Sequence, residues 1–351
     1  MKRREFLSVC AGFLAGALAG KTSVFSATAQ PDADPLKGIT IIDAHSHPDA
    51  FYSMRTSTDF SASFASIKKS GMSASTFCAV GDSKEPRGFW EESFPGVMIQ
   101  LEKAMRYVTS GQTKLVLKSS DISTPLHPGD PVGAILGIEG ANPLQDDLNR
   151  FDEVYRFGVR IITLGHYKVS NLTDVMTEPP KHGGISTLGR KAVEIMDRLG
   201  IVIDVAHASS DALKQIAEVT RRPLVDSHTS ICPGDSRPCG RFRTWREMEL
   251  IAKTDGIVCT WPIAERKGDY RRETFLDWAK EIAEMKKRIG IEHTGLGTDG
   301  GGHLPARITG YKDVADLNKL AAAMIEVGLT REDVAACMGG NFLRVFKTYS
   351  G

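Results

Sequence analysis

From residue 39 onward the chain alternates short, β-branched apolar runs with longer segments whose apolar residues return every three or four positions. The runs lie at 39–47, 74–80, 132–140, 159–167, 201–208, 223–230, 256–264 and 293–301. Several are almost continuously apolar, as strands covered on both faces must be, and their alternation with helical segments predicts parallel β-α units. Between them, Leu188, Ala192, Ile195, Met196 and Leu199 fall on one helical face that Gly200 closes; Leu317, Leu320, Ala321, Met324 and Ile325 repeat the arrangement before Gly328. Thr330 with Asp333 three residues on predicts a capped short helix. Eight strands separated by helices predict a (β/α)8 TIM barrel rather than an open doubly wound sheet.

Two stretches break the rhythm. Residues 81–131 are long and irregular, with a helix near 97–108 and a Pro/Gly-rich part at 125–131; residues 168–186 contain Pro179-Pro180 and Gly183-Gly184. Both adjoin strand C-termini, so both are expected to roof the active face.

The amino terminus belongs to a different kind of segment. Lys2-Arg3-Arg4-Glu5-Phe6-Leu7 is a twin-arginine start, an apolar stretch follows through Ala19, and Ala27-Thr28-Ala29 offers a small-residue cleavage site. Residues 1–29 therefore read as a removable twin-arginine export signal, and residues 30–351 as a single barrel domain destined for the periplasm or otherwise exported. Of 351 residues, 322 remain (351 minus 29), and the 41% hydrophobic content suits a soluble protein with a real core. The signal carries four basic residues against Glu5, so a formal charge of +1 becomes −2 (+1 minus 3) after cleavage, which gives no support to nucleic-acid binding. The five remaining cysteines show no C-x-x-C pair; Cys232 and Cys239 share one Pro/Gly-rich loop, and idle thiols are expected there ahead of a bridge.

Barrel active sites lie where strands end, which ranks the polar residues by position. His45 and His47 end the first run, Glu139 the third, His166 the fourth, His207 the fifth, His228 the sixth and Asp299 the eighth, whereas His293 sits at the opposite end. Alternation along a strand points His45 and His47 to one face. Imidazole and carboxylate donors suit Zn2+ and similar ions. His45, His47, Glu139, His207 and His228 exceed what a single catalytic ion needs, so they predict a binuclear site at the C-terminal face with Glu139 bridging two divalent ions, zinc the expected one. Asp299, in a Gly297-Thr298-Asp299-Gly300-Gly301-Gly302 turn, is placed to move a proton from an attacking water to a leaving amine. His166 is placed to donate to a substrate carbonyl. Arg241 or Arg243 could grip a substrate carboxylate.

Together these segments resemble the membrane (renal) dipeptidase family of zinc peptidases, amidohydrolase-like TIM barrels. The resemblance runs over nearly all of residues 39–347, through Gly137-Ile138-Glu139-Gly140, residues 157–166, residues 199–207, Ser227-His228-Thr229-Ser230, and Gly339-Gly340-Asn341-Phe342-Leu343-Arg344-Val345-Phe346. It implies a metal-dependent dipeptidase that hydrolyses a dipeptide through a metal-bridging hydroxide. By the same resemblance, His45 and residue 47 would hold one zinc, His207 and His228 the other, with Glu139 shared. His166 would be catalytic and substrate-binding, Arg241 would bind the substrate carboxylate, and Asp299 would be the catalytic proton shuttle.

The family usually has H-x-D where this chain has His45-Ser46-His47, and D-F-D-G where it has Asp299-Gly300-Gly301-Gly302; its Arg-Asn pair is here Arg241-Phe242. These departures keep two alternatives open: a related binuclear amidohydrolase acting on another amide, lactam or lactone, and a non-catalytic periplasmic barrel. The expected partners are the small-molecule substrate and the twin-arginine export machinery, with a homodimer left open and nucleic acid not expected.

Overall fold

The computed structural model describes residues 34–52, 62–83, 92–267, 270–302, 304 and 306–350; the expected export signal lies outside them. The strands are β1 (Ile42–Ser46), β2 (Ala74–Val80), β3 (Thr113–Leu115), β4 (Val132–Glu139), β5 (Val159–Thr163), β6 (Val202–Asp204), β7 (Val225–Thr229), β8 (Ile257–Thr260), a β9–β10 hairpin (Glu265–Lys267, Tyr270–Arg272) and β11 (Thr294–Leu296). The parallel order β1-β2-β4-β5-β6-β7-β8-β11 matches the eight apolar runs, and every residue of β1, β4, β5, β6, β7, β8 and β11 is buried. This is the (β/α)8 barrel that near-continuous apolar strands require.

The first and last strands meet only at their exits. There the His47 N–H donates to Gly300 O at 2.8 Å, the Asp299 N–H donates to His45 O at 2.9 Å, and the Asp43 carboxylate accepts the Thr298 N–H at 2.7 Å and its hydroxyl. The barrel is thus nearly closed, and its seam is fastened beside the residues of interest. Register carries the exits to one level: Val80 pairs with Glu139, Glu139 with Thr163, and Thr163 with Asp204.

The helices are α1 (Phe64–Lys69), α2 (Phe94–Thr109), α3 (Asn149–Phe157), α4 (Thr187–Leu199), α5 (Ser210–Val219), α6 (Trp245–Lys253), α7 (Phe275–Ile289), α8 (Leu317–Glu326), α9 (Arg331–Ala335) and α10 (Asn341–Ser350). Their ends obey local chemistry. Ser186 accepts the Gly189 N–H at the start of α4, and Gly200 closes the helix at φ 76°, as its glycine predicts. Thr330 and Asp333 form the expected capping box. Ala192, Val193 and Met196 turn inward onto the strands, each contributing up to about 3 kcal/mol of burial free energy.

Two expectations change. Ile325, placed on the inner face of α8, is 45% exposed, because Leu317, Leu320, Ala321 and Met324 already fill the buried stripe. The irregular 81–131 stretch contains β3, which lies along the first residues of β4 before β5 takes over from Leu136.

Candidate metal centre

Several strands end sooner than their apolar runs do, and three of these carry candidate site residues. β5, β6 and β11 stop at Thr163, Asp204 and Leu296, so His166, His207 and Asp299 each stand three residues past a strand. The reason is a turn that re-aims the chain: His207 and Asp299 take left-handed φ values of 65° and 50°, conformations that cost of order 1–3 kcal/mol and collect at functional sites. The glycine run after Asp299 has a steric cause. A Cβ on Gly301, which has φ +82°, would meet His47 O at 2.2 Å, and one on Gly302 would meet Asp299 Oδ1 at 2.0 Å. His47 falls just past β1, His228 lies within β7, and Glu139 is the last residue of β4.

These side chains converge. Glu139 Oε1 lies 3.4 Å from His45 Nε2, 2.9 Å from His207 Nε2 and 3.4 Å from His228 Nε2, while Oε2 lies 3.4 Å from His47 Nε2. His207 and His228 bring their Nε2 atoms within 3.2 Å of each other. The donors form two sets, His45/His47/Glu139 and Glu139/His207/His228, each able to hold a metal ion and sharing one carboxylate. His45 Nε2 is buried without a hydrogen-bond partner, as a donor atom awaiting a cation would be. The nitrogen-rich set with one carboxylate fits a divalent ion of the borderline class.

Outer contacts orient three of the four rings. His47 Nδ1 faces Cys78 O at 2.7 Å, and Ser227 Oγ lies 2.9 Å from His228 Nδ1 and 3.3 Å from His45 Nδ1. Ser227 is itself held by Asp204 at 2.6 Å. Such partners fix the tautomer that leaves Nε2 for a ligand. His207 Nδ1 has no such partner.

Electrostatics separates the two sets. Burial would push the Glu139 carboxyl up, but His166 and His45, with the bonds from His207 and His228, hold it well below the usual carboxylate range. Burial keeps His207 well below, and His228 below, the ordinary imidazole value. Burial also opposes the charged form of His47, yet Asp299 Oδ1 at 3.5 Å and Glu139 outweigh it and raise His47 to about 10.

Above this floor opens a cavity of about 460 Å³. His166 and Asp299 line it as expected, and one wall is apolar, with Phe242, Trp261, Ile263 and Leu304. The segment after β7 decides between the two arginines. Arg241 lines the cavity, its Nη2 2.8 Å from His228 Nε2 and its Nη1 buried without a partner. Arg243 is completely buried against Asp226 at 2.6 Å, and so is out of reach of a substrate.

The same segment corrects the reading of its cysteines: Cys232 and Cys239 form a disulfide, because the Cys232 N–H bonds to Arg243 O and folds the loop back on itself. The roof also differs from expectation. Among the described residues, 168–186 contribute nothing to the lining and 81–131 contribute Asp82 and Ser83, while most of the wall comes from the segments after β7 and β8. Sequence reasoning missed Asp82, which is 2% exposed and lies 2.8 Å from His166 Nδ1.

A family model described as membrane dipeptidase (peptidase family M19) matches residues 36–350. The chain belongs to this family. Among curated members, the dipeptidase tcpJ of Claviceps purpurea is 29% identical over 252 residues, covering 71% of this chain and 58% of its own. Mouse dipeptidase 3 is 27% identical over 287 residues, covering 74% and 54%. The chain thus spans little more than half the length of the curated membrane dipeptidase relatives it matches.

Among solved structures, the probable dipeptidase PvdM from Pseudomonas aeruginosa superposes with a TM-score of 0.78 at 20% identity, over 90% of this chain and 97% of that one. A metallopeptidase from Rhodobacter sphaeroides, solved with a phosphinate mimic of the dipeptide L-Ala-D-Ala, gives 0.76 at 18% identity, over 90% and 100%. Both share the barrel fold.

Proposed function

We propose that this member of the membrane dipeptidase family hydrolyses the peptide bond of dipeptides, using two divalent ions, zinc the expected pair. The observation that carries this reading is the single carboxylate of Glu139 shared by two histidine pairs on the floor of a cavity walled by Arg241. His45 and His47 would hold one ion and His207 and His228 the other. Ions held there supply Lewis acidity toward a carbonyl and a water made nucleophilic at neutral pH.

The chain's own groups do the rest. Arg241 offers an unpartnered Nη1 to a substrate carboxylate, which sets the dipeptide across Glu139. His166 presents Nε2, 3.5 Å from Glu139 Oε1, to the scissile carbonyl. Asp299 has an oxygen 3.5 Å from His47 Nε2, beside the same floor, and relays a proton from the attacking water to the departing amine. The apolar wall of Phe242, Trp261, Ile263 and Leu304 reduces solvation on one side of the floor, which strengthens the contacts made there.

The test combines metal content with hydrolysis of L,L and L,D dipeptides, in wild type and Asp299→Asn. The variant is expected to keep its metals and lose roughly 10²–10⁴-fold in turnover. Failure of metal-loaded wild type on the whole panel rejects the reading, and activity on N-acyl amino acids, lactams or lactones alone selects a related hydrolase. The twin-arginine start further supports export to the periplasm, which cell fractionation of wild type and an Arg3→Lys/Arg4→Lys variant tests.

A further inference from the structure

Asp82 belongs to neither histidine set, yet its carboxylate is fully engaged. It follows β2 by two residues. Its Oδ1 lies 2.8 Å from His166 Nδ1 and accepts the Tyr167 N–H at 3.1 Å, and its Oδ2 accepts the Lys168 N–H at 3.0 Å. Three donors from three consecutive residues after β5 thus meet one carboxylate from the exit of β2, and the Asp82 main-chain O lies farther from His166 Nδ1, at 3.2 Å.

The topology explains why this pair can form. At its exit β4 is flanked by β2 and β5, so the Asp82–His166 contact arches over the end of the strand that delivers Glu139. Directly beneath is Gly140, at φ +89°, where an added Cβ would come within 3.0 Å of the His166 Cβ. The arch therefore depends on a glycine at that point of the chain.

An imidazole held by a carboxylate at Nδ1 has its ring plane and its tautomer fixed, because Nδ1 must carry the proton it donates. The other nitrogen is then aimed, and in this protein His166 Nε2 points toward Glu139 Oε1 at 3.5 Å, over the floor of the cavity. We propose that Asp82 is a positioning residue for hydrolysis: it clamps His166 through Nδ1 so that Nε2 meets the scissile carbonyl of a substrate lying over Glu139. This rests on the reading of His166 as a substrate-facing group. It adds that the alignment of His166 is supplied from the neighbouring strand exit across β4, and not by the segment that carries the histidine.

The test uses metal-loaded full-length protein as wild type, Asp82→Asn, His166→Asn and the double variant. Asp82→Asn is expected to lower kcat by roughly 10–100-fold, the usual loss for an orienting partner, with KM within about threefold and metal content unchanged. The double variant is expected to be no slower than His166→Asn alone, since the two residues act as one unit. A purely structural brace would instead add its loss to that of His166→Asn. Nitrogen-15 NMR supplies a readout independent of turnover. A downfield Nδ1–H resonance, assigned by its disappearance in His166→Asn, should be present in wild type and lost or shifted in Asp82→Asn.

Wild-type kcat in Asp82→Asn, an unchanged kcat in His166→Asn, additive losses in the double variant, or absence of the resonance from wild type would each overturn the proposal. The last measurement needs no folded Asp82 variant. If wild type cleaves no dipeptide, the functional reading fails by itself, and the resonance still decides whether Asp82 holds the ring.

Discussion

Arg241 and Arg243 stand two residues apart on one segment, and the molecule uses them in opposite ways. Arg243 is fully buried with every nitrogen satisfied: Nε meets Asp226 at 2.6 Å, Nη1 meets Ala208 O at 2.9 Å, and Nη2 donates to Val205 O. It ties the exits of β6 and β7 together beneath the rim. Arg241 reaches the cavity wall with Nη1 unpartnered. Arg243 leaves water completely and Arg241 only in part, yet it is the more buried guanidinium whose nitrogens are all repaid by protein partners. Satisfied charge marks framework, and charge left short of partners marks a place prepared for a ligand, as at His45 Nε2.

The largest effect should come from breaking the framework arginine. Arg243→Ala strands Asp226 in the interior and should cost about 3–5 kcal/mol in urea unfolding; a normal unfolding midpoint with a raised KM would reverse the roles assigned to the two arginines.

Glu247 belongs to the same framework. Burial pushes its carboxyl up, but Arg243, Arg237 and Ser210 outweigh burial and bring it down to about 2 from the ordinary 4.5. The stability it contributes, about 3 kcal/mol, is therefore complete above about pH 4.5 and is lost as the pH falls through 2. Wild type and Glu247→Gln should differ by that amount at pH 7 and converge in acid; a gap that stays constant down to pH 2 would remove Glu247 from the network.

Arg241→Ala should leave the unfolding midpoint within about 0.5 kcal/mol. It should raise KM for dipeptides roughly 10–100-fold, the equivalent of a lost charged hydrogen bond. An equal loss on substrates lacking a free carboxylate would break its assignment. The smallest change in KM is expected from the disulfide that precedes both arginines: Cys232→Ser/Cys239→Ser should cost about 2 kcal/mol of stability and shift KM by less than Arg241→Ala does, because the loop it closes leads into Arg241 and not into the candidate metal-holding residues.

Much of this was legible in the chain. Near-continuous apolar runs bounded by turns read as strands covered on both faces, and scoring polar residues by where those runs stop picks out the histidines, Glu139 and Asp299 that converge at one end of the barrel. Legibility failed where position depends on a neighbour relation that spacing does not encode. Asp82 reaches His166 because β2 and β5 happen to flank the exit of β4. The disulfide needs Cys232 and Arg243 paired across a loop. The β9–β10 hairpin is built from charged residues with no apolar alternation to announce it. Strand lengths were overread because the turns at His207 and Asp299 use residues that, as a string, continue an apolar run.

The seam between β1 and β11 has one more implication. The amides of His47 and Asp299 that fasten the barrel's two ends belong to residues lining the cavity over the candidate metal centre, and Asp43 adds its carboxylate one rung below. A cation held by His45 and His47 would therefore act as a clasp on the chain's ring closure. In amide-exchange terms, chelation should expose the His47 and Asp299 amides before any amide of β4 or β5, so that the protein would come undone along the line where the proposed site lies.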